Sequence, residues 1–199
     1  MSFKLFGCNI NITFMFVATF AAVLIIDKTN TAVFAMLAAF IHECGHIIAM
    51  IITGAAPDKI IFMPVGIKIE SKKRAALSYW KEAFILASGP IVNLIAFMVI
   101  YLNAGDIRGL YIAAIMLVMG IFNLLPVKIL DGGQLLCIYL SQKLSEYTTQ
   151  RIINIISVTM LVLFFAGGII LILNSNRNFS LLILCVYLFL SVILNEKVD

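Results

Sequence analysis

The chain has 199 residues, of which 63% are hydrophobic and 12% charged, and its mean hydropathy is +1.10. Soluble domains are about 45–50% apolar and about 25% charged, and a water-soluble globule of this size could not bury so many apolar side chains. The composition therefore excludes soluble, collagen-like, disordered and disulfide-stapled proteins and predicts a polytopic membrane protein. The net charge of +4 is expected to lie at the membrane edges and not on a nucleic-acid-binding surface.

Six apolar stretches are long enough, or nearly so, to cross a bilayer, which needs about 17–25 residues. They cover residues 10–26, 31–52, 82–102, 107–124, 152–173 and 179–194. The first stretch is predicted to be a retained span and not a signal peptide, because no cleavage-site pattern follows it. The predicted fold is an all-α polytopic membrane protein that forms one domain over residues 1–199, with no soluble domain appended.

The positive charges orient this predicted bundle. Eleven of the fourteen Lys and Arg residues fall on the side that holds the N-terminus, the 53–81 loop, the 125–151 segment and the C-terminus. Only Lys28, Arg108 and Arg177 fall on the other side. By the positive-inside rule both termini are expected to be cytoplasmic, and we expect the protein in a bacterial cytoplasmic membrane.

The longest polar interruption, residues 54–81, contains a predicted β-hairpin near residues 59–70. Two β-prone runs flank a Pro-Val-Gly turn signal at residues 64–66. A basic run at residues 72–74 and the pair Tyr79 and Trp80 follow, and they are typical of a solvated collar and of lipid-interface anchors. We expect the hairpin to be re-entrant, dipping into the membrane.

Both histidines of the chain lie four residues apart in the second predicted span, as His42-Glu43-Cys44-Gly45-His46. Residues i and i+4 share a helix face, so both imidazoles can bind one ion, with Glu43 beside it as general base. The alternative, a pair of satisfied core histidines, leaves an ionisable Glu43 in lipid unexplained. Cys44 is a rival ligand, but its helix position points it away from the face of the histidines.

A catalytic zinc site takes three protein ligands and keeps one position for water, so a third ligand is expected. The other acidic residues lie in loops, at span edges or at the terminus, which leaves Asp131 after the fourth span. Pro126 ends that span, and Gly132 and Gly133 are expected to let the backbone pack close to a metal centre. Asp131 is alternatively the N-cap of a helix over residues 134–143, and the two roles can coexist.

These motifs resemble the site-2 protease family of intramembrane zinc metalloproteases. The resemblance includes His42 to His46, the segment from Asn123 to Gly133 as the family's N-x-x-P…L-D-G element, and residues 88–93 as its G-P-x-x-N element. It implies that His42, His46 and Asp131 bind Zn²⁺, that Glu43 is the catalytic carboxylate, and that Asn123 holds the substrate or polarises its carbonyl.

The compact six-span plan is most similar to the sporulation-type branch, which cleaves a membrane-associated sigma-factor precursor. No PDZ insertion or CBS domain is seen, and Lys128-Ile129 replaces the proline-rich spacing common before the aspartate. Asn93 is expected to make an interhelical hydrogen bond and Pro90 to kink its helix, not to act in catalysis.

The predicted function is hydrolysis of a peptide bond in a membrane-associated protein. The substrate is expected to be a tethered regulator, the product is expected to be released to the cytoplasm, and no nucleic acid is expected as a partner. The 59–70 hairpin is a candidate for pairing with an extended substrate by β-strand addition. The alternative function is metal binding without proteolysis, in a zinc transporter or a catalytically silent scaffold. A transporter would need several ligands along a path, and a silent homologue would lack Glu43.

Overall fold

The computed structural model describes residues 2–5, 8–27, 29–63 and 66–174. The chain divides into two compact units, one up to Phe122 and the other from Asn123 onward. The described helices of the first unit are α1 (Phe14–Ile26), α2 (Thr31–Thr53), α3 (Tyr79–Asn103) and α4 (Ile107–Asn123), whose last residue belongs to the second unit. The second unit contains α5 (Asp131–Ser141) and α6 (Glu146–Asn174).

Three of the described helices are long and apolar enough to cross a membrane. They are α2, α3 and the part Glu146–Ile170 of α6, and they overlap the predicted spans 31–52, 82–102 and 152–173. The predicted spans 10–26 and 107–124 contain the shorter apolar helices α1 and α4. The predicted span 179–194 lies outside the described residues, so a total of six spans stays a prediction.

A four-stranded sheet lies in the first unit. Its strands are β1 (Ser2–Leu5), β2 (Cys8–Ile12), β3 (Lys59–Met63) and β4 (Gly66–Glu70), in the order β1-β2-β3-β4. The pairs β1–β2 and β3–β4 are antiparallel, whereas β2 and β3 run parallel. The predicted hairpin at residues 59–70 is confirmed as β3–β4, but it is only half of a larger sheet.

The start of the first predicted span is wrong, because residues 10–12 belong to a strand. Ile10 and Ile12 alternate with asparagines, and this period of two is typical of a strand. Thr13 then begins the helix: its Oγ1 accepts a hydrogen bond from Phe16 N at 3.2 Å and donates one to the Phe62 carbonyl at 2.8 Å. The hydrophobicity summed over a stretch of sequence does not show where a strand ends and a directly following helix begins.

Helix α2, which carries both histidines, is held at its two ends. The Asp27 carboxylate accepts hydrogen bonds from Thr29 N, Thr29 Oγ1 and Ala32 N at 2.6–2.9 Å. The bond from the Thr29 hydroxyl, followed by those from the two backbone amides, holds the pKa of Asp27 below its usual value. At the other end Gly54 has a φ of 87°, which favours glycine and stops the helix.

Helices α2 and α3 pack antiparallel and form the core of the first unit. Ala49 and Met50 of α2 are buried against Ile85 of α3, while Gly45, earlier in α2, meets Gly89, later in α3. A Cβ on Gly45 would lie 2.8 Å from the Ser88 carbonyl oxygen. The two backbones therefore approach so closely that this crossing requires glycine.

Candidate metal centre

The two histidine side chains meet on one face of α2. Both are buried, and the Nε2 atoms of His42 and His46 lie 3.1 Å apart. Their rings are nearly perpendicular, with an interplanar angle of 84°. Two nitrogens that bind one tetrahedral zinc ion at about 2.0–2.1 Å are separated by about 3.4 Å, so this pair needs only a small adjustment to share an ion.

The tautomer of His46 is set by a backbone carbonyl of α3. His46 Nδ1 lies 2.8 Å from the Ile85 oxygen, and a carbonyl only accepts hydrogen bonds, so Nδ1 carries the proton. The lone pair of the neutral ring is therefore on Nε2, the atom that faces His42. Ser88 Oγ donates to the same Ile85 oxygen at 2.6 Å. Such outer hydrogen bonds orient a metal-binding histidine and raise its basicity.

Gly89 provides the surface on which the imidazoles rest. A Cβ on this residue would overlap His46 Nε2 and would lie 2.6 Å from Cε1 of His46 and 2.9 Å from Cε1 of His42. The histidine pair thus occupies the space that any larger residue at position 89 would fill. The glycine is visible in the sequence, where residues 88–90 read Ser-Gly-Pro, but its contact with the histidines depends on how α2 packs on α3.

Glu43 and Cys44 lie between the two histidines in the sequence, and both are half-buried. Successive residues of an α-helix are turned by about 100°, so neither side chain shares the face of His42 and His46. Cys44 therefore has no place on the face of the histidines, and the role of Glu43 beside the candidate site stays a prediction.

The second unit holds Asp131 in a tightly folded connection between α4 and α5. The Val127 side chain is fully buried, and the Lys128 amide donates to Ser157 Oγ of α6 at 2.8 Å. A Cβ on Gly133 would overlap the Val127 carbonyl, and one on Gly132 would overlap the Leu124 carbonyl. Both glycines are therefore required by close backbone contacts of this connection, whereas their close approach to a metal centre stays a prediction.

The alternative role of Asp131, as the N-cap of the following helix, is wrong. Leu130 is the N-cap of α5, with extended backbone angles of −92° and 159°, and Asp131 is the first residue of the helix. The helix also begins three residues earlier than the predicted residue 134 and ends at Ser141. A carboxylate in the first turn interacts favourably with the helix dipole.

The two asparagines singled out by the sequence differ in their surroundings. Asn123 is the last residue of α4 and is half-buried. Asn93, in the middle of α3, is fully buried, and neither Oδ1 nor Nδ2 has a hydrogen-bond partner among the described residues. The interhelical hydrogen bond expected for Asn93 is therefore not found within the described part of the chain.

The donor atoms of this chain fit a zinc ion. Two buried imidazoles, one of them with its outer nitrogen hydrogen-bonded to a carbonyl, are typical of protein zinc sites, and a carboxylate is the usual third ligand in hydrolytic ones. The two rings occupy the space above Gly89 that a larger residue at this position would fill.

Comparison with known proteins gives three findings. The model of Peptidase family M50 matches residues 103–167. Zinc metalloprotease MJ0392 of Methanocaldococcus jannaschii is 25% identical over 200 residues, which cover 93% of this chain and 57% of that protein, so the chain spans little more than half of its curated relative. A solved site-2 protease from Methanocaldococcus jannaschii superimposes with a TM-score of 0.70 at 20% identity, over 96% of this chain and 94% of that one.

The fold is that of a site-2 protease, with mostly helical structure, candidate membrane-spanning helices and a small sheet. The residues matched by the family model include Asn123 and Asp131, and the similarity to the curated relative covers most of the chain. This chain is therefore similar to Peptidase family M50 over residues 103–167 and to a zinc metalloprotease over most of its length.

Proposed function

We propose that this chain is an intramembrane zinc metalloprotease that hydrolyses a peptide bond of a membrane-associated protein. The observation that carries the proposal is the pair of buried imidazoles on α2, 3.1 Å apart, with Glu43 next to His42 in the sequence. We propose that His42, His46 and Asp131 bind the ion. The similarity to Peptidase family M50 and to a zinc metalloprotease supports the same reaction.

A zinc ion held by His42, His46 and Asp131 would supply a water of lowered pKa and would polarise the scissile carbonyl. The Glu43 carboxylate accepts the proton of the attacking water and delivers it to the departing amine nitrogen, so that it acts first as general base and then as general acid. The Asn123 side-chain amide donates a hydrogen bond to the substrate carbonyl. The Ile85 carbonyl keeps the His46 ring in the tautomer that the site needs.

A substrate helix must unwind before cleavage, and its exposed backbone groups then need partners in an apolar environment. In the sheet order β1-β2-β3-β4 the outer edge of β4 faces no further strand among the described residues. We propose that an extended substrate adds to this edge, so that its backbone is paired and held straight. The re-entrant position of the hairpin is part of this proposal.

We further propose that the substrate is a tethered regulator, as in the sporulation-type branch, and that the product is released into the cytoplasm. Strands β2 and β3 are parallel neighbours, so the N-terminal strands and the 59–70 hairpin lie on the same side of α1 and α2. The basic residues around positions 59–81 favour the cytoplasmic side for both.

Cysteine labelling tests this orientation at the two ends of α3. In a background without Cys8, Cys44, Cys137 and Cys185, Lys72→Cys precedes the helix and Gly105→Cys follows it, and both positions are exposed. We expect Gly105→Cys to react with a membrane-impermeant maleimide in intact cells, and Lys72→Cys to react only after permeabilisation. Labelling of Lys72→Cys in intact cells would reverse the orientation and the direction of product release.

The variant Asp131→Asn tests the third ligand. Asn keeps the size of the side chain and its place in the first turn of α5 but is a much weaker zinc ligand. We expect folded protein whose zinc affinity and cleavage of a tethered reporter in proteoliposomes both fall by about 100-fold or more. Glu146→Gln is the matched control, because Glu146 occupies the first turn of α6 in the same unit. Wild-type zinc content in Asp131→Asn would remove Asp131 from the site.

A further inference from the structure

Asn93 is a polar side chain that the proposed mechanism does not use. It has no solvent exposure, and its Oδ1 and Nδ2 have no hydrogen-bond partner within the described residues. A buried amide without partners costs about 1–3 kcal/mol, so such a group is uncommon unless it has a function. It therefore offers one acceptor and two donor hydrogens at a fully buried position of α3.

The position of Asn93 relates it to the candidate metal centre. Gly89, whose Cα supports both imidazoles, lies four residues earlier on α3, so the two residues share one face of the helix. Four residues of α-helix rise about 6 Å. The Asn93 amide thus lies one helical turn from the level of the histidine pair, within the same first unit.

We propose that Asn93 binds the backbone of the peptide substrate, and this inference rests on the proposed proteolytic function. An unwound peptide brings an N–H donor and a C=O acceptor into an environment without water, and a side-chain amide is complementary to both. About 6 Å corresponds to two residues of extended chain at about 3.3 Å each. Asn93 therefore recognises a peptide unit about two residues from the scissile bond.

Full burial of Asn93 means that its covering side chains move aside when the peptide enters. The bound state then satisfies hydrogen-bonding groups on both partners, whereas the substrate-free state leaves the asparagine unpaired. In this proposal Asn93 binds the substrate and does not stabilise the fold. Replacement by leucine, which has a similar volume and no polar atoms, is expected to leave the unfolding temperature unchanged or raise it.

Two hydroxamate probes separate backbone recognition from metal binding. Acetohydroxamate binds a zinc centre without a peptide, while a tetrapeptidyl hydroxamate with alanine and leucine side chains adds an extended backbone. In zinc-loaded full-length Asn93→Leu we expect unchanged zinc content, unchanged affinity for acetohydroxamate, and a Kd for the tetrapeptidyl probe that is about 5- to 30-fold higher, as the loss of one or two hydrogen bonds predicts. Asn103→Leu is the control, because Asn103 is exposed near the end of the same helix and bonds to the Val99 carbonyl.

Ester replacements in the probe locate the contact. Replacing one peptide N–H at a time by an ester oxygen should weaken binding to the wild type most at the unit two residues from the hydroxamate, and this sensitivity should disappear in Asn93→Leu. Equal affinity of wild type and Asn93→Leu for the tetrapeptidyl probe would overturn the inference, as would an equal loss for both hydroxamates or a marked fall in unfolding temperature. If Asn93→Leu does not fold, Asn93→Ala is tested against the same expectations. A wild-type protein that binds neither zinc nor acetohydroxamate would instead refute the proposed function itself.

Discussion

Glu43→Gln is expected to retain about one zinc ion per chain and to lose about 10²- to 10⁴-fold of its proteolytic rate, which is the contribution of a general acid–base group. Glutamine preserves the size of the side chain but cannot accept the proton of the attacking water. His46→Ala, in contrast, should lose both zinc and activity, because it removes a ligand. Zinc content is measured by mass spectrometry of purified protein, and activity by cleavage of a tethered reporter in proteoliposomes.

Cys44→Ala is the matched control for both variants. It changes a half-buried residue of the same helical turn without altering the face of the histidines, so zinc content and rate should remain at the wild-type level. A Glu43→Gln protein that cleaves the reporter at a near wild-type rate would show that the proton is moved by another group. Loss of zinc in Cys44→Ala would show that the thiol belongs to the ligand set.

Gly89→Ala should abolish zinc binding although it adds only one methyl group. The new Cβ would overlap His46 Nε2, which forces the ring away from its partner and from the Ile85 carbonyl. We expect zinc affinity to fall by at least about 100-fold, the upper end of the effect of changes around metal ligands. In an ordinary helix the same substitution would stabilise by about 0.5–1 kcal/mol, so a loss of zinc isolates the steric effect.

Gly105→Ala controls for the chemistry of the substitution. Gly105 follows α3, and a Cβ there meets no atom within 4 Å, so zinc content should not change. A Gly89→Ala protein with full zinc occupancy would mean that α2 and α3 separate without cost, and that the close crossing at Gly45 and Gly89 does not hold the imidazoles in place.

Features that depend on local spacing could be predicted from the sequence. His42 and His46 share a face because four residues make about one helical turn, and this holds for any packing of α2. Gly89 could not be assigned in the same way, because its contact with His46 depends on the register between α2 and α3. The helix after Asp131 was predicted to start at residue 134, but it begins at Asp131 itself, since Leu130 takes the N-cap position.

The sheet shows the same difference between local and distant interactions. The β3–β4 hairpin could be predicted because its turn lies between its own strands. Strand β2 could not, because its parallel partner β3 lies 50 residues later in the register Asn9 to Lys59, and no local signal relates the two. The apolar residues of β2 instead read as the beginning of α1, which they directly precede.

The parallel pairing of β2 with β3 has a consequence for biosynthesis. At about 5–20 residues per second the ribosome needs several seconds to synthesise the chain between the two strands. During that time the edge of β2 that pairs with β3 in the finished sheet has no partner strand, and it is covered only after α1 and α2 have been synthesised. An affinity tag fused ahead of β1 would therefore lie next to the N-terminal strands while the edge of β2 is still unpaired. A tag after the last residue is the better choice for expression.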